Sequence, residues 1–298
     1  MARILIIGGV NLCGVNDLSR RSSPDAGAKA ELWDALQREP DLRPHGIEMC
    51  EGAVEALYRL QSRAIDVVVT DPATSLREDV ALCALLRERR PGVKVIALAH
   101  AVAPDDVIAA LRAHVFACFT APLALREVVD MVRAALAAGD WHDGIEVVSG
   151  APHWLTLRVA CRLLTADRLV RFMTELQTNV VDDDRERDLL LTAFREMLLN
   201  AMEHGGGFDP DQVIEVTAAK TARAIVYHIR DPGSGFDRTA LAHAAESSAR
   251  EAIVASAQER ADAGLRPGGF GLLIAREVVD EIAHNERGNE VLLIKHLA

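Results

Sequence analysis

The chain contains 298 residues, of which 50% are hydrophobic and 26% are charged, so it can bury packed cores and is not a disordered chain. At roughly 100 to 200 residues per domain, its length predicts two domains. The 33 basic and 44 acidic side chains give a formal net charge of −11, which excludes a generically basic nucleic-acid binder held by phosphate attraction. No apolar run approaches the roughly 18 residues that a membrane-spanning helix needs, so we expect no membrane partner.

The cysteines and the N-terminus predict a cytoplasmic location. Five cysteines stand singly, without a C-x-x-C pair, and predict neither a disulfide framework nor a zinc site: Cys13, Cys50, Cys83, Cys118 and Cys161. We expect them to be small core residues, Cys83 and Cys118 above all, because both lie among apolar neighbours. The apolar N-terminal run stops at Gly8 after four apolar residues, which is too short for a secretory signal and predicts a first β-strand.

Residues 3–137 alternate short β-branched runs with longer helical periodicity, which is typical of parallel βα units. The strands are predicted at Arg3–Ile7, Gly46–Cys50, Ile65–Thr70, Val93–Leu98 and Val115–Thr120. The helices are predicted at Ala28–Arg38, Gly52–Ser62, Leu76–Arg90, Pro104–Ala113 and Leu123–Ala137. This strict alternation predicts an α/β domain with a doubly wound, five-stranded parallel sheet, whose ligand chemistry lies at the carboxyl ends of the strands.

A stretch rich in glycine interrupts this rhythm. Residues 139–152 are expected to be a linker, because glycine and proline in this range favour turns: Gly139, Gly144, Gly150 and Pro152. The predicted domains are therefore residues 1–138 and 153–298.

The second domain is predicted to be an α+β sandwich with a mixed, mostly antiparallel sheet. Its strands are predicted at Trp154–Cys161, Val213–Ala219, Ala224–Arg230 and Glu290–His296. Its helices are predicted at Ala166–Val180, Asp188–His204 and Gly271–Ala283, with an acidic loop at 182–184.

The helix predicted at Asp188–His204 carries a row of polar residues beside its apolar stripe. Glu196, Asn200 and His204 follow one another at a spacing of four, which drifts only about 40° per step around an α-helix. A carboxylate, an amide and an imidazole are thus expected in one row. Taken alone, this row favours an ordinary solvated helix face over a site.

Two glycine clusters follow this helix. The first, 231–236, comes directly after a predicted strand, where Asp231 can accept a hydrogen bond from a ligand amine and glycines let the backbone approach closely. The second, 267–274, opens a predicted helix, whose unpaired N–H groups favour an anion. The joint order of the polar row and both clusters is much more specific than any one of them.

These residues carry a resemblance to a known superfamily. The sets Glu196-x-x-x-Asn200-Ala201-x-x-His204-Gly205, Asp231-x-Gly233-x-Gly235-Phe236 and Gly269-x-Gly271-Leu272-x-Ile274 resemble the N, G1 and G2 boxes of the GHKL (Bergerat-fold) ATPases. Together with the C-terminal stretch 280–295, they are most similar to the anti-sigma-factor serine kinases. The resemblance covers about half of the chain.

The resemblance implies a role for each matching residue. Asn200 matches the asparagine whose side-chain oxygen holds Mg²⁺ on the nucleotide phosphates, and Glu196 matches the catalytic general base. Asp231 matches the acceptor for the adenine amino group, with Gly233 and Gly235 giving the base room.

Further positions of the same resemblance concern the lid and the N-box histidine. Gly269 and Gly271 match the lid loop over the phosphates, and Phe270 between them departs from family members that carry arginine there. For His204, a structural role at the helix end and an active role stay open. The long stretch 237–266 is either a mobile lid or a fixed extra helix.

The first domain resembles a response-regulator receiver that has lost most of its chemistry. Asp71, after the third strand, matches the phospho-accepting aspartate. The acidic pair for Mg²⁺ is replaced by Gly8-Gly9, the hydroxyl residue by Ala99 and the lysine by Ala121. We expect a pseudo-receiver that serves as a docking or dimerisation surface or senses something other than phosphate; an unusual active receiver is the alternative.

The resemblance implies an ATP-binding signalling protein, with ATP and Mg²⁺ as cofactors. The leading hypothesis is a serine/threonine protein kinase of the anti-sigma kind, regulated by the receiver-like domain. Its implied partners are an adenine nucleotide and a protein, either an anti-sigma antagonist, a sigma factor or another signalling protein, and a homodimer stays open. The alternatives are a histidine-kinase-like protein, for which His153 or His142 would be the acceptor, and a non-catalytic nucleotide-dependent interaction switch.

Overall fold

A computed structural model of the chain describes residues 2–8, 26–139, 143–178, 180–181, 183–235 and 275–297. The chain divides into two compact units, unit 1 over Met1–Asp143 and unit 2 over Gly144–Ala298. Within the described ranges, no helix is both long and apolar enough to cross a membrane.

Unit 1 alternates strands and helices along the chain. Its strands are β1 (Arg3–Gly8), β2 (Gly46–Glu51), β3 (Val67–Val69), β4 (Lys94–Ala99) and β5 (Ala117–Thr120). Its helices are α1 (Ala26–Arg38), α2 (Gly52–Ser62), α3 (Leu76–Arg89), α4 (Pro104–Arg112) and α5 (Leu125–Ala137). The strands are parallel and lie in the order β2-β1-β3-β4-β5, which is the flavodoxin-like doubly wound order and confirms the predicted fold class.

The core of unit 1 is a sheet whose inner strands are buried on both faces. Every residue of β3 and of β4 is buried, as parallel strands covered by helices require. The strand predicted at Ile65–Thr70 is shorter than expected, but Asp66 and Thr70 still donate their backbone N–H groups to Arg3 and Ile96. Cys50, Cys83, Cys118 and Cys161 are buried and form no disulfide, which confirms the core role predicted for them, whereas Cys13 lies outside the described residues.

Unit 2 is an antiparallel sheet with helices packed on it. Its strands are β6 (Ile145–Ala151), β7 (Trp154–Ala160), β8 (Val213–Lys220), β9 (Ala224–Arg230), β10 (Glu281–His284) and β11 (Glu290–His296). Its helices are α6 (Leu163–Gln177) and α7 (Asp184–Asn200). The strand order is β10-β11-β9-β8-β7-β6, and every pair in this described sheet is antiparallel. The architecture is consistent with the Bergerat-type sandwich that the sequence predicts.

Two strands of unit 2 lie where the sequence predicts something else. Residues 145–151, within the expected linker 139–152, form β6, which pairs with β7 across the turn at Pro152 and His153. The helix expected to run to Ala283 ends earlier, because Glu281–His284 form β10 and pair with β11. In both places the backbone groups gain partners in the sheet that a linker or a frayed helix end would leave to water.

The two faces of this sheet differ in polarity. Alternate residues such as Leu157, Val216 and Tyr227 are buried beneath the helices. The outer face instead carries one row of alternating charges in register across five strands: Glu146, Arg158, Glu215, Arg230 and Glu290. Oppositely charged neighbours across strands favour this register, while exposed pairs of this kind add little to the overall stability.

Candidate functional site

Helix α7 holds the first two candidate site residues over the sheet. It begins after Asp183, whose carboxylate accepts the N–H of Glu186 at 2.9 Å, so the predicted acidic loop is in part a helix cap. Its apolar side packs on β9, where the rings of Phe194 and Tyr227 lie 4.6 Å apart between centroids. Packing of this side leaves Glu196 and Asn200 half-buried.

Glu196 and Asn200 are one helical turn apart at the end of α7. The side chain of Glu196 is 20% exposed, and its Oε1 lies 3.8 Å from Nη1 of the adjacent Arg195. Because α7 is α-helical through Asn200, the spacing of four places the carboxylate and the amide in one row, as predicted.

The helix predicted to reach His204 changes its winding after Asn200. Ala201–Gly205 form a single π turn, in which the N–H of Gly206 bonds to the carbonyl of Ala201 at 3.0 Å. The i, i+4 rule of an α-helix therefore does not apply to the step from Asn200 to His204, whose side chain is exposed. Such single π turns inside helices are frequent at functional sites.

The π turn brings its glycine against the end of β9. A Cβ atom on Gly205 would overlap the carboxyl group of Asp231, so only glycine allows this close approach. Asp231 follows β9 directly, and its Oδ1 accepts the N–H of Gly233 at 2.8 Å. The N box and the G1 box of the sequence are thereby in contact.

The carboxyl group of Asp231 lies in a mixed electrostatic environment. Burial raises its pKa, while the hydrogen bond from Gly233 and the charges of Arg287 and His204 lower it. His204 is thus an electrostatic neighbour of Asp231, although it is exposed to solvent.

The main chain of Asp231 is held on both sides by Asn289. The carbonyl of Asn289 accepts the N–H of Asp231 at 3.0 Å, and Nδ2 of Asn289 donates to the carbonyl of Asp231 at 3.0 Å. Asn289 is 5% exposed, and its Oδ1 accepts Nδ2 of Asn285 at 2.9 Å. Asn285 in turn accepts the N–H groups of Gly288, Asn289 and Glu290, which fixes the turn between β10 and β11.

The same turn supports the far end of the G1 loop. Gly235 has φ +82, and a Cβ there would overlap the carbonyl of Arg287. Nε of Arg287 donates to the carbonyl of Ser234 at 3.3 Å. The turn 285–289 was predicted only as part of the stretch 280–295 that carries the family resemblance, without a role of its own. The signal for a tight turn was its Asn285 and Gly288-Asn289 pattern.

An open groove of about 510 Å³ reaches this region from the outer face of the sheet. Its lining includes Arg158, Arg230, Arg287 and Asp231. Neither Glu196 nor Asn200 lines it, so this groove is separate from the polar pair on α7.

The residues present fit an adenine nucleotide with Mg²⁺. The Asp231 carboxylate is half-buried and has glycine backbone beside it, so it suits the edge of a base that carries an amino group. An amide oxygen and a carboxylate one turn apart are hard oxygen donors, the kind that Mg²⁺ takes. The lid glycines Gly269 and Gly271, Phe270 and the stretch 237–266 lie outside the described residues.

In unit 1, the residues at the carboxyl ends of β1 and β3 take the place of a receiver's phosphorylation site. Asp71 follows β3 and is 9% exposed, and its Oδ1 accepts the N–H of Ala73 at 2.9 Å. At Gly8, where an acidic residue is expected in a receiver, a Cβ would overlap Nζ of Lys29. Lys29 donates to Glu51 at 2.9 Å, so an ammonium group from α1 stands beside the end of β1.

The other two replaced positions follow the neighbouring strands. Ala99 ends β4 and is 1% exposed, and Ala121 directly follows β5. Neither side chain can hold a phosphoryl group.

Comparisons with known proteins find similarities for both parts of the chain. Residues 160–295 match the family model described as histidine kinase-like ATPase domain. This range contains Glu196, Asn200, His204 and Asp231. No curated protein matches the chain.

Solved structures similar to the chain cover its N-terminal half. A signal receiver domain of an HD domain-containing protein from Pseudomonas fluorescens Pf-5 is 16% identical, covers 46% of this chain and 96% of its own, and has a TM-score of 0.35. A two-component response regulator from Clostridium difficile is 18% identical, with coverages of 46% and 97% and a TM-score of 0.36. A response regulator from Thermotoga maritima is 17% identical, with coverages of 46% and 99% and a TM-score of 0.34.

Proposed function

We propose that unit 2 binds ATP with Mg²⁺ and transfers the γ-phosphoryl group to a serine or threonine hydroxyl of a partner protein. The observation that carries the proposal is the packing of the Asp231 carboxyl group against Gly205, on the turn that directly follows Glu196 and Asn200. The family-model match over residues 160–295 supports nucleotide binding by this part of the chain.

In this proposal Asp231 selects the base. Its carboxylate accepts a hydrogen bond from the amino group of adenine, which a guanine base replaces by a carbonyl oxygen that cannot donate. A buried acceptor left without its donor costs about 1–3 kcal/mol, so the site disfavours GTP. Asn289 keeps the carboxylate in place through the main chain.

Glu196 is the proposed general base. Its carboxylate takes the proton of the target hydroxyl while the hydroxyl oxygen bonds to the γ-phosphorus and the bond from that phosphorus to the β,γ-bridging oxygen breaks, releasing ADP. Asn200 would supply an amide oxygen to Mg²⁺, which when bound neutralises charge on the phosphates. Residues of the lid, including Gly269 and Gly271, would complete the phosphate cradle.

The proposed acceptor is a separate protein of the kind that anti-sigma-factor kinases phosphorylate. A histidine acceptor on this chain has less support. His153 lies in the tight turn between β6 and β7, where its carbonyl accepts the N–H of Lys220 at 3.0 Å. A phosphorylatable histidine of the histidine-kinase type lies on a helical hairpin, which this turn is not.

Calorimetric titration with a non-hydrolysable ATP analogue, with and without Mg²⁺, tests nucleotide binding. We expect adenine-selective binding that Mg²⁺ strengthens, with GTP as the control. Asn200→Ala should remove the Mg²⁺-dependent part, roughly 10- to 100-fold in affinity for a charge-assisted contact, and leave the metal-free affinity unchanged. Asp231→Asn should weaken the ATP analogue and reduce its advantage over GTP.

The outcome is decisive in both directions. Adenine-selective binding that Mg²⁺ strengthens would support the nucleotide site, and the next step would be to identify a partner protein that carries the serine acceptor. Unchanged affinity in both variants contradicts the assigned site, and no binding at millimolar analogue contradicts the function.

A further inference from the structure

Unit 1 contains a buried acid directly behind the loop that carries Asp71. Asp79, on the first turns of α3, is 0% exposed. Its two carboxyl oxygens contact two hydroxyl groups: Oδ2 lies 2.8 Å from Oγ1 of Thr70, at the end of β3, and Oδ1 lies 2.9 Å from Oγ1 of Thr74, in the β3–α3 loop. The cluster thus joins a strand end, a loop and a helix.

The hydrogen atoms in this cluster can be counted. Oγ1 of Thr70 accepts the N–H of Leu98 at 3.0 Å, so its own hydrogen is available for Oδ2 of Asp79. Oγ1 of Thr74 lies 2.7 Å from the carbonyl oxygen of Asp71, and two oxygens at that distance need a hydrogen between them. A carbonyl has none to give, so the single hydrogen of Thr74 is placed there.

This placement leaves the contact between Thr74 and Asp79 without a hydrogen. Oγ1 of Thr74 and Oδ1 of Asp79 are 2.9 Å apart, which is again hydrogen-bond distance. A protonated Asp79 supplies the missing hydrogen and donates it to Thr74. A carboxylate at Asp79 instead takes the hydrogen of Thr74 and leaves the two oxygens of Thr74 and Asp71 facing each other.

We propose that Asp79 is a proton-binding site of unit 1, whose protonation holds the Asp71 loop on the sheet and whose ionisation releases it. The ligand is the proton itself, and on ionisation it passes to the solvent. This inference concerns unit 1 alone and does not depend on nucleotide binding by unit 2. It gives the receiver-like unit an input that requires neither Mg²⁺ nor an acyl phosphate.

The electrostatic environment agrees with the hydrogen count. Burial raises the pKa of Asp79 to about 7, the contacts with the hydroxyl groups of Thr70 and Thr74 act against this, and the charges of Glu78 and Asp71 add to it. These two carboxylates face Asp79 from α3 and from the β3–α3 loop. From β3 and β4 come the neutral hydroxyl of Thr70 and the N–H of Leu98, and the thiol of Cys83 lies one turn along α3, where burial raises its pKa to about 12.

The direction of the pH effect follows from the folded and unfolded pKa values. The pKa of Asp79 in the folded unit is raised above its ordinary value of 3.8, so between these two pKa values the folded unit holds a proton that the unfolded chain has lost. The stabilisation is fully present below the unfolded pKa and is lost as the pH rises through about 7. Between these two pKa values the equilibrium for opening the loop rises about tenfold for each pH unit, and it levels off above the folded pKa.

Two measurements on the full chain test the proposal. The first is a titration of the side-chain carboxyl carbon of Asp79 by NMR between pH 5 and 9, with the resonance assigned by its loss in Asp79→Asn. We expect a midpoint near neutrality. A signal that keeps its carboxylate position throughout this range would overturn the proposal, and this experiment does not require any variant other than the one used for assignment.

The second measurement is hydrogen exchange of the backbone N–H groups of Ala73 and Thr74 as a function of pH, corrected for the intrinsic rate. Asparagine at position 79 can donate to Thr74 and accept from Thr70 permanently, so Asp79→Asn should remove the pH-dependent loss of protection seen in the unmodified chain. Asp34→Asn, on the exposed face of α1, is the matched control and should behave as the unmodified chain. Identical pH profiles for the unmodified chain and Asp79→Asn, or a titration of Asp79 without any change in protection, would overturn the proposal.

Discussion

The two units surround the aspartate at a strand end differently. In both units its carboxylate accepts the N–H group two residues further on, Asp71 from Ala73 and Asp231 from Gly233. In unit 1 Asp71 is buried, and at Gly8 the ammonium group of Lys29 pairs with Glu51. In unit 2 Asp231 is half-buried, and Asn289 also holds its main chain from both directions. The surroundings of such a carboxylate, rather than its own hydrogen bond, therefore decide whether it can serve a ligand.

The largest expected effect tests whether unit 2 is catalytic. Glu196→Gln keeps the size of the side chain but removes the proton acceptor, so we expect the rate of ADP formation to fall by roughly 10²- to 10⁴-fold. The affinity for the ATP analogue should stay within about twofold, because the role proposed for Glu196 is confined to the transfer step. A coupled ADP assay, with water as the acceptor in the absence of a protein acceptor, measures the rate.

Glu146→Gln is the control for this comparison, because it makes the same chemical change on the exposed face of β6. An unaltered rate in Glu196→Gln would remove its role as base. If the unmodified chain binds the analogue but forms no ADP, the non-catalytic switch becomes the better description of unit 2.

A smaller effect on nucleotide affinity is expected at Asn289, which supports Asp231 but is not itself proposed to contact the nucleotide. Asn289→Ala removes the hydrogen bond to the carbonyl of Asp231, together with the bond that Asn289 accepts from Asn285, but leaves the backbone bond between Asn289 and Asp231. One neutral hydrogen bond is worth about 1 kcal/mol, so the affinity for the ATP analogue should fall about fivefold. The preference for ATP over GTP should fall with it, since the carboxylate is no longer held in one place.

A double-mutant cycle separates this effect from a general loss of structure. If Asn289 acts through Asp231, its removal in the Asp231→Asn background should change analogue affinity less than it does alone. Equal effects in both backgrounds, measured by calorimetry, would show that Asn289 does not position Asp231.

Most of the fold followed from the sequence, because regular periodicity and turn residues agree with the final packing. Helix α2 and strands β9 and β11 have the bounds that were predicted for them. Gly150 and Pro152 make the segment of strand β6 resemble a linker, although Ile145 and Val147 stand on either side of the polar Glu146 ahead of a two-residue turn. That alternation was a hairpin signal.

The sequence predicted those site residues that lie in short motifs, but not those whose place depends on packing between distant segments. Glu196, Asn200 and Asp231 stand in recognisable patterns, and the structure puts the N box and the G1 box in contact through Gly205. The π turn at Ala201–Gly205 was not predicted, since a sequence spacing of four looks the same in both windings. Lys29 could not be found at all, because its place beside Gly8 depends on how α1 packs on the sheet.

The last prediction is that a phosphorylating reagent has no effect on Asp71, at the end of β3 in unit 1. Incubation with acetyl phosphate and Mg²⁺ should leave the mass of the Asp71 peptide unchanged. A phosphoryl group on Asp71 would add negative charge where a receiver supplies two acidic metal ligands, a hydroxyl and a lysine, and this chain has glycines and alanines at those positions. Lys29 could offer one countercharge, but it already pairs with Glu51 and takes up the space at Gly8. An active receiver treated in parallel shows that the reagent works. A stable mass increase on Asp71 would contradict the pseudo-receiver prediction and would mean that unit 1 also offers a usable strand end.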